Sequence, residues 1–302
     1  MNAREQGLFH KFNVSRVDGS DQPGGKHHGA EYFVLDLTTD KHAWPAIAAY
    51  AESCAAEYPA LAADLLAKLI EHTGVLSEFV TVPETTLPDG TMVPAFQVMR
   101  YLAAQGPGGT PLSVPDAAPW VEISYHEARA AAERAGMRLL TETQALSIAW
   151  NASQQDANWS GGKVGEGSLF QGLHKGMVGA AQPGAYVSTD AEEQRWFVLS
   201  NGERLCDVAG NAYSWIFDDV QGDENGLVKG RIQADSISLR APFVPKEKGM
   251  GWRPSGSANW SGYALIRGGY WCSEASAGAF NLYYYWPGNR YDGVGFRCTK
   301  GL

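Results

Sequence analysis

The side chains able to do chemistry are few and scattered. The four cysteines, Cys54, Cys206, Cys272 and Cys298, form no Cys-x-x-Cys pair, so their spacing writes neither a structural zinc site nor a dithiol redox centre. Of the seven histidines (His10, His27, His28, His42, His72, His126, His174), the adjacent pair His27-His28 lies beside Gly24-Gly25-Lys26. Imidazoles in such a polar loop are more often solvated than metal-bound. Asp218-Asp-Val-Gln-Gly-Asp-Glu-Asn-Gly226 offers carboxylates to calcium but lacks the EF-hand spacing, and a solvated acidic loop is expected. Gly161-Gly-Lys-Val-Gly-Glu-Gly167 lacks the Gly-Lys-Ser/Thr ending and the preceding apolar strand of a phosphate cradle. No catalytic residue, metal ligand or cofactor follows from these residues.

A different chemistry is concentrated near the C-terminus. Nine of the 32 residues in 267–298 are aromatic (Tyr270, Trp271, Phe280, Tyr283, Tyr284, Tyr285, Trp286, Tyr291 and Phe296) and none is Lys. Tyrosine supplies a large contact area at low rotamer cost, which is why evolved binding faces concentrate it. In an extended run over 279–286, Phe280, Leu282, Tyr284 and Trp286 share one parity, and Ala279, Asn281, Tyr283 and Tyr285 the other. The even set is expected buried and the odd set displayed. Packing of all the tyrosines in a Gly-rich core is the alternative.

The elements that must position this segment are short. Tyr32-Phe-Val-Leu-Asp-Leu37 reads as a strand, and His42–His72 as two Ala/Leu-rich helices broken at Tyr58-Pro59. Pro83, Pro88-Asp-Gly90 and Pro94 punctuate the chain before the apolar Ala95–Leu102, placing a domain boundary at 88/89. Ser124-Tyr-His-Glu127 and Thr141-Glu-Thr-Gln144 are capping boxes that open two further helices. From Gly161 onward lie 24 of the 35 glycines, and short runs such as Trp196–Leu199 alternate with turns such as Ser200-Asn-Gly202, as in small strands joined by long loops.

Bulk properties narrow the function classes. With 44% apolar and 19% charged residues over 302 positions, the chain has the profile of a folded globular protein. Residues 227–302 carry 10 Lys/Arg against 4 Asp/Glu, while 1–226 carry 14 against 29. The ten cations are too dispersed to track a phosphate backbone, so no nucleic-acid partner is expected. No apolar run reaches the ~18–20 residues of a membrane span, and no h-region follows Met1-Asn-Ala-Arg-Glu-Gln-Gly. A cytoplasmic product without a signal peptide is expected.

Ala264-Leu-Ile-Arg-Gly-Gly-Tyr-Trp271, closed by Tyr291-Asp-Gly-Val-Gly-Phe-Arg-Cys298, resembles the C-terminal signature of the formylglycine-generating-enzyme type of C-type-lectin fold. Asp207-Val-Ala-Gly-Asn-Ala-Tyr-Ser-Trp215 is similar to its Gly-Asn-x-x-x-Trp turn and strand, and Met137-Arg-Leu-Leu-Thr-Glu-Thr-Gln144 to its Arg-Leu-Pro-Thr-Glu-x-Glu segment. The resemblance implies an α+β C-type-lectin fold over 89–302, with residues 1–88 as a small N-terminal α/β accessory domain. Asp218–Gly226, Lys248–Pro254 and Trp260–Gly269 further resemble the variable proteins of diversity-generating retroelements, many carried by phages and prophages. Lys11-Phe-Asn-Val and Tyr32–Leu37 resemble the extra domain of some members.

That resemblance implies a hypervariable ligand-binding region at about 268–298, formed by Tyr270, Cys272, Glu274, Asn281, Tyr283, Tyr284, Tyr285, Asn289, Arg290, Tyr291 and Asp292. Its members substitute template adenines, commonly in AAC codons. Tyr, Cys, Asn, Asp and Gly at positions 270, 272, 281, 283–285, 289 and 291–293 fit that repertoire, whereas Glu274 needs another adenine-bearing codon. Trp271, Trp286, Phe296 and the glycines 268, 269 and 295 are expected as scaffold, both tryptophans buried. The two ends of the segment are expected as neighbouring strands. Formylglycine-generating chemistry, by contrast, uses a copper-binding thiol pair about five residues apart; five residues after Cys272 stands Ala277. The His-x-x-x-His-x-Glu cluster of related iron-dependent sulfoxide synthases has no counterpart.

The expectation is thus a non-catalytic binding protein that recognises an unknown protein or glycan, such as one on a cell surface, and reaches it as a virion component or by non-classical export. Two alternatives stand beside it: a catalytic member of the fold, and a non-variable virion structural protein. Oligomeric state stays open.

Overall fold

The computed structural model describes residues 12–73 and 77–302; the calls on His10 and Lys11 lie outside them. In chain order the elements are α1 (Ala43–Cys54), α2 (Pro59–Thr73), β1 (Phe79–Val82), β2 (Thr85–Thr86), β3 (Met92–Val93), β4 (Phe96–Met99), β5 (Ala104–Gln105), β6 (Pro111–Leu112), α3 (Tyr125–Arg134) and β7 (Arg138–Leu139). They continue as α4 (Glu142–Ser153), β8 (Trp196–Val198), β9 (Arg204–Cys206), β10 (Tyr213–Ile216), β11 (Ala264–Gly268), β12 (Gly278–Tyr285), β13 (Val294–Phe296) and β14 (Cys298–Lys300).

Local signals set the helices. Pro59 opens α2, where its fixed φ and missing N–H cost nothing. Both capping boxes form: Ser124 Oγ accepts from Glu127 N–H and Thr141 Oγ1 from Gln144 N–H, each N3 side chain bonding back to the cap. The helix α1–α2 pair has its own small core of Ala51, Leu66 and Leu69, with Trp44, Ala48 and Leu65 against it. Leu66 and Ala48 also approach Gly108 of the following segment. Tyr32–Leu37 is not a strand; its backbone is irregular and then turns, with Tyr32, Phe33 and Val34 exposed. Alternating or continuous apolar character makes a strand only where a neighbour supplies the ladder bonds.

Two four-stranded sheets build the rest. In the first, β1 and β14 flank β4, and β7 completes the order β1-β4-β14-β7, antiparallel throughout. The boundary expected at 88/89 falls inside this sheet, because Phe79–Val82 pairs with Phe96–Met99 across it. The second sheet has the order β12-β11-β10-β13. Its two faces are both covered. Leu265, Phe280, Leu282 and Ile216 pack with Leu146 and Ala149 of α4, while Trp215, Ile266, Val294 and Phe296 pack with Tyr125, Ala128 and Ala131 of α3.

The two ends of the segment 267–298 share this sheet without being neighbours. Strand β10 lies between them, antiparallel to β11 and parallel to β13. After Phe296 the chain leaves the second sheet and enters the first as β14. Arg297, at the crossing, is buried and donates to the carbonyls of Met99, Cys206 and Asp207. Gly268 and Gly269 turn the chain out of β11 with φ of 98° and 89°, a region in which side chains with Cβ are strained.

Candidate functional site

The tyrosines converge at the far end of β12 and in the loop that follows it. Tyr213, buried on β10, is their base: Tyr270 stacks on it with ring centroids 5.7 Å apart, and Tyr285 meets it edge-on at 6.4 Å. Tyr285 stacks in turn on Tyr291 at 4.0 Å and lies edge-on to Tyr283 at 5.8 Å. Gly293 admits Tyr270, since a Cβ there would fall 2.6 Å from the ring. These contacts hold together positions up to 21 residues apart, from both ends of the segment.

The loop 288–293 supplies the polar edge. Asn289 Nδ2 donates to the Tyr291 hydroxyl at 3.2 Å. Arg290 forms a two-point ion pair with Glu127, its Nε 3.0 Å from Oε2. Because Glu127 is also the N3 residue of the α3 capping box, this pair fixes the loop to a helix start. Arg290, then the Ser124 bonds, hold the Glu127 carboxyl down at about 2. Burial, and then the neighbouring phenols, push Tyr285 up to about 12; burial also raises Tyr213 and Tyr270. Tyr213, Tyr270 and Tyr285 therefore keep neutral hydroxyls at physiological pH.

Other expected positions fall elsewhere. Asn281 is 1% exposed and donates Nδ2 to Ser276 O at 2.8 Å, so it is not on the face. The cause is an irregularity in the ladder: Arg267 pairs with Leu282 but Gly268 with Gly278, and Asn281, among the residues looped out between, packs against Gly251. Ala279, expected displayed, is buried for the same reason. Cys272 and Glu274 are exposed and lie by the 174–176 loop, where Glu274 N–H donates to His174 O. Asp292 is exposed at the edge, near enough to Tyr270 to help raise its phenol.

Trp286 is 52% exposed, against the expectation that it is scaffold. Strand β12 ends at Tyr285, and the chain turns through Pro287, whose carbonyl accepts from Tyr125 N–H, so strand parity does not reach residue 286. Trp271 is half-buried against Leu102, Ala181 and Ala212. Tyr284 packs on the opposite side of the sheet from Tyr285, with Trp260 at 4.5 Å and Tyr263 at 4.8 Å. Tyr263 then meets Trp286 at 5.5 Å, and Trp252 meets Tyr283 at 5.2 Å. Trp252 and Tyr263 thus extend the aromatic surface beyond the residues expected from sequence, over the buried Trp260. The signal for Tyr263 is the register Ala264 to Tyr285, which sets it beside residue 286; nothing local marks the other two.

All four cysteines are free, and Cys298 is buried in β14. Among the described residues no group of three or more His, Cys, Asp or Glu could hold a metal ion, and no helix is long and apolar enough to cross a membrane. The acidic loop differs from expectation at Asp218, which is buried rather than solvated. Its carboxylate accepts from the Val220 and Gln221 backbone N–H groups and from Gln221 Nε2. Burial first, and then Glu142, pushes this carboxyl up to about 6. Arg267 of the Arg-Gly-Gly motif is buried with Glu142 at the start of α4, Nε to Oε2 at 2.7 Å.

Residues 63–302 match the family described as the sulfatase-modifying factor enzyme 1-like domain, FGE-sulfatase. Among solved structures the chain is similar to PvdO from Pseudomonas aeruginosa, at 18% identity over 75% of this chain and 95% of that one, with a TM-score of 0.37. It is also similar to Treponema denticola variable protein 1, at 13% identity over 75% and 95%, TM-score 0.34. Similarity to the Major Tropism Determinant P3c variant is 15% identity over 72% of this chain and 52% of that one, TM-score 0.33. A search of curated sequences finds no match.

Proposed function

The chain belongs to the sulfatase-modifying factor enzyme 1-like family, with its α+β C-type-lectin fold, and on that scaffold we propose that it is a ligand-recognition protein whose aromatic face is diversified by a retroelement. One observation carries the reading: Tyr270, Tyr283, Tyr285 and Tyr291 converge around Tyr213 on a half-exposed surface, with Asn289 and Arg290 at its edge. Flat aromatic area with a few charges at the rim suits a protein or glycan surface better than a deep small-molecule pocket. Beneath these side chains, which pack against it, the scaffold has its own core: β10 and the two cores clamp the segment through Trp215, Ile266, Leu282 and Phe296. A virion location or non-classical export would bring such a face to a ligand on a cell surface.

The test has two arms. Variants at two or three of Tyr270, Tyr283, Tyr285 and Tyr291 are screened against surface proteins and glycans; ligand choice changes while the fold persists. In the encoding DNA, a near-identical template repeat lies near the segment for residues 268–298, and differences fall at template adenines. A ligand bound equally by parent and multiple variants would sink the recognition face; the absence of a repeat would remove diversification alone.

A further inference from the structure

A second surface, sharing no residue with the aromatic face, opens where α4 ends. The C-terminal turn of α4, the β2–β3 hairpin and the turn at Ser200 enclose a cleft of about 510 Å³, with Glu84, Thr86, Trp150, Gln154 and Gln155 on its walls. Its floor is held in place by one side chain. Asn151, buried, donates Nδ2 to Ser200 Oγ at 2.9 Å and to Thr85 Oγ1 at 3.4 Å, and its Oδ1 accepts from Ser200 N–H at 2.8 Å. Gln155 Nε2 bonds back to the Asn151 carbonyl at 2.9 Å. Helix end, hairpin and turn are therefore locked together without any ligand, so little ordering remains to be done on binding.

The wall chemistry selects the ligand class. No Lys, Arg or His lines the cleft, so an anion would find no charged partner there. Glu84, Thr86, Gln154 and Ser200 are exposed to it. Amides and hydroxyls both donate and accept, as a sugar hydroxyl requires of its partners, whereas a cation would use acceptors alone. Trp150 and Pro88 add apolar wall. The Trp150 indole N–H has no protein acceptor, but its nitrogen is closed off from solvent, so the cleft is offered the indole ring and not the donor.

From this arrangement we infer that the cleft is a binding site for a neutral carbohydrate. The site is tested by following the Trp150 indole resonance, assigned with Trp150→Phe, in the ¹H–¹⁵N spectrum. The probes are the methyl glycosides of glucose, galactose and mannose, N-acetylglucosamine, N-acetylneuraminic acid and Nα-acetyl-lysine amide. At least one neutral sugar shifts the resonance saturably, and N-acetylneuraminic acid does not. Gln154→Ala with Gln155→Ala weakens that sugar roughly tenfold or more, through lost hydrogen bonds, while Tyr283→Ala with Tyr285→Ala leaves it unchanged. If the glutamine variant misfolds, Glu84→Ala on the exposed hairpin serves in its place. No shift with any neutral sugar, a shift with only the acidic sugar or the lysine amide, or unchanged affinity in the rim variants would overturn the inference.

Discussion

Tyr285, the last residue of β12, and Tyr291, six residues later in the following loop, stack with ring centroids 4.0 Å apart and planes 19° apart. This stack closes the loop onto the sheet, and Trp215 lies beneath Tyr291 at 6.5 Å. Tyr291→Ala is expected to cost about 1 kcal/mol, the scale of one aromatic pair, and to abolish ligand binding by freeing the loop. Urea denaturation and a binding titration on the same variant separate the two effects; unchanged binding would show that the stack is not part of the site.

The buried pair Arg267–Glu142 joins the Arg-Gly-Gly motif to the start of α4. Glu142→Ala leaves the guanidinium buried without its carboxylate and is expected to destabilise by about 3–5 kcal/mol. Glu142→Met combined with Arg267→Met is expected to cost less than the single change, since no charge is then left unpaired. Denaturant midpoints of the three proteins check the ordering.

Asp218 makes stability depend on pH. Its carboxyl titrates at about 6 when folded, against an ordinary 3.8. Between those values the native state holds a proton that the unfolded chain has released, so this residue's contribution falls as pH rises from about 4 to about 6. Asp218→Asn keeps an oxygen for the Val220 and Gln221 N–H groups and removes the titration. Relative to the parent, the variant gains stability across that window; a constant difference between the two curves would contradict the assignment.

Cys272 is exposed and free, and Ala277 is buried where the thiol-pair chemistry would need a second sulfur. Cys272→Ser is expected to leave stability within about 0.5 kcal/mol. The purified parent is expected to show no copper-dependent oxidation of cysteine in sulfatase-type peptides. Turnover that Cys272→Ser abolishes would replace the recognition reading with a catalytic one.

What was legible in the sequence was mostly local. Ser124, Glu127, Thr141 and Gln144 encode their helix starts within four residues, and Pro59 encodes the break before α2. The clustering of Tyr270, Tyr283, Tyr285 and Tyr291 was expected from the two motif ends lying as neighbouring strands, whereas β10, which carries Tyr213, stands between them. Parity reasoning failed at Asn281, because the ladder irregularity depends on Gly251 and Gly278, which approach from separate segments. It failed again at Trp286, where Pro287 turns the chain. Trp252 and Tyr263 join the surface, and Trp260 its buried base, through pairings across more than 20 residues, which no local pattern records. Tyr32–Leu37 has the composition of a strand, yet its backbone is irregular and then turns.

The passage of the chain through Arg297 into β14 has a consequence for heredity. Cys298–Lys300 is clasped between β4 and β7, elements encoded some 160 to 200 codons upstream. Any copy of the gene that slips reading frame, or acquires a stop, within the tyrosine-bearing stretch loses both β13 and this clasp. Its product cannot complete either sheet. Errors of copying are thereby screened at the level of the polypeptide: a coding segment read in frame through β14 is a precondition for a folded molecule.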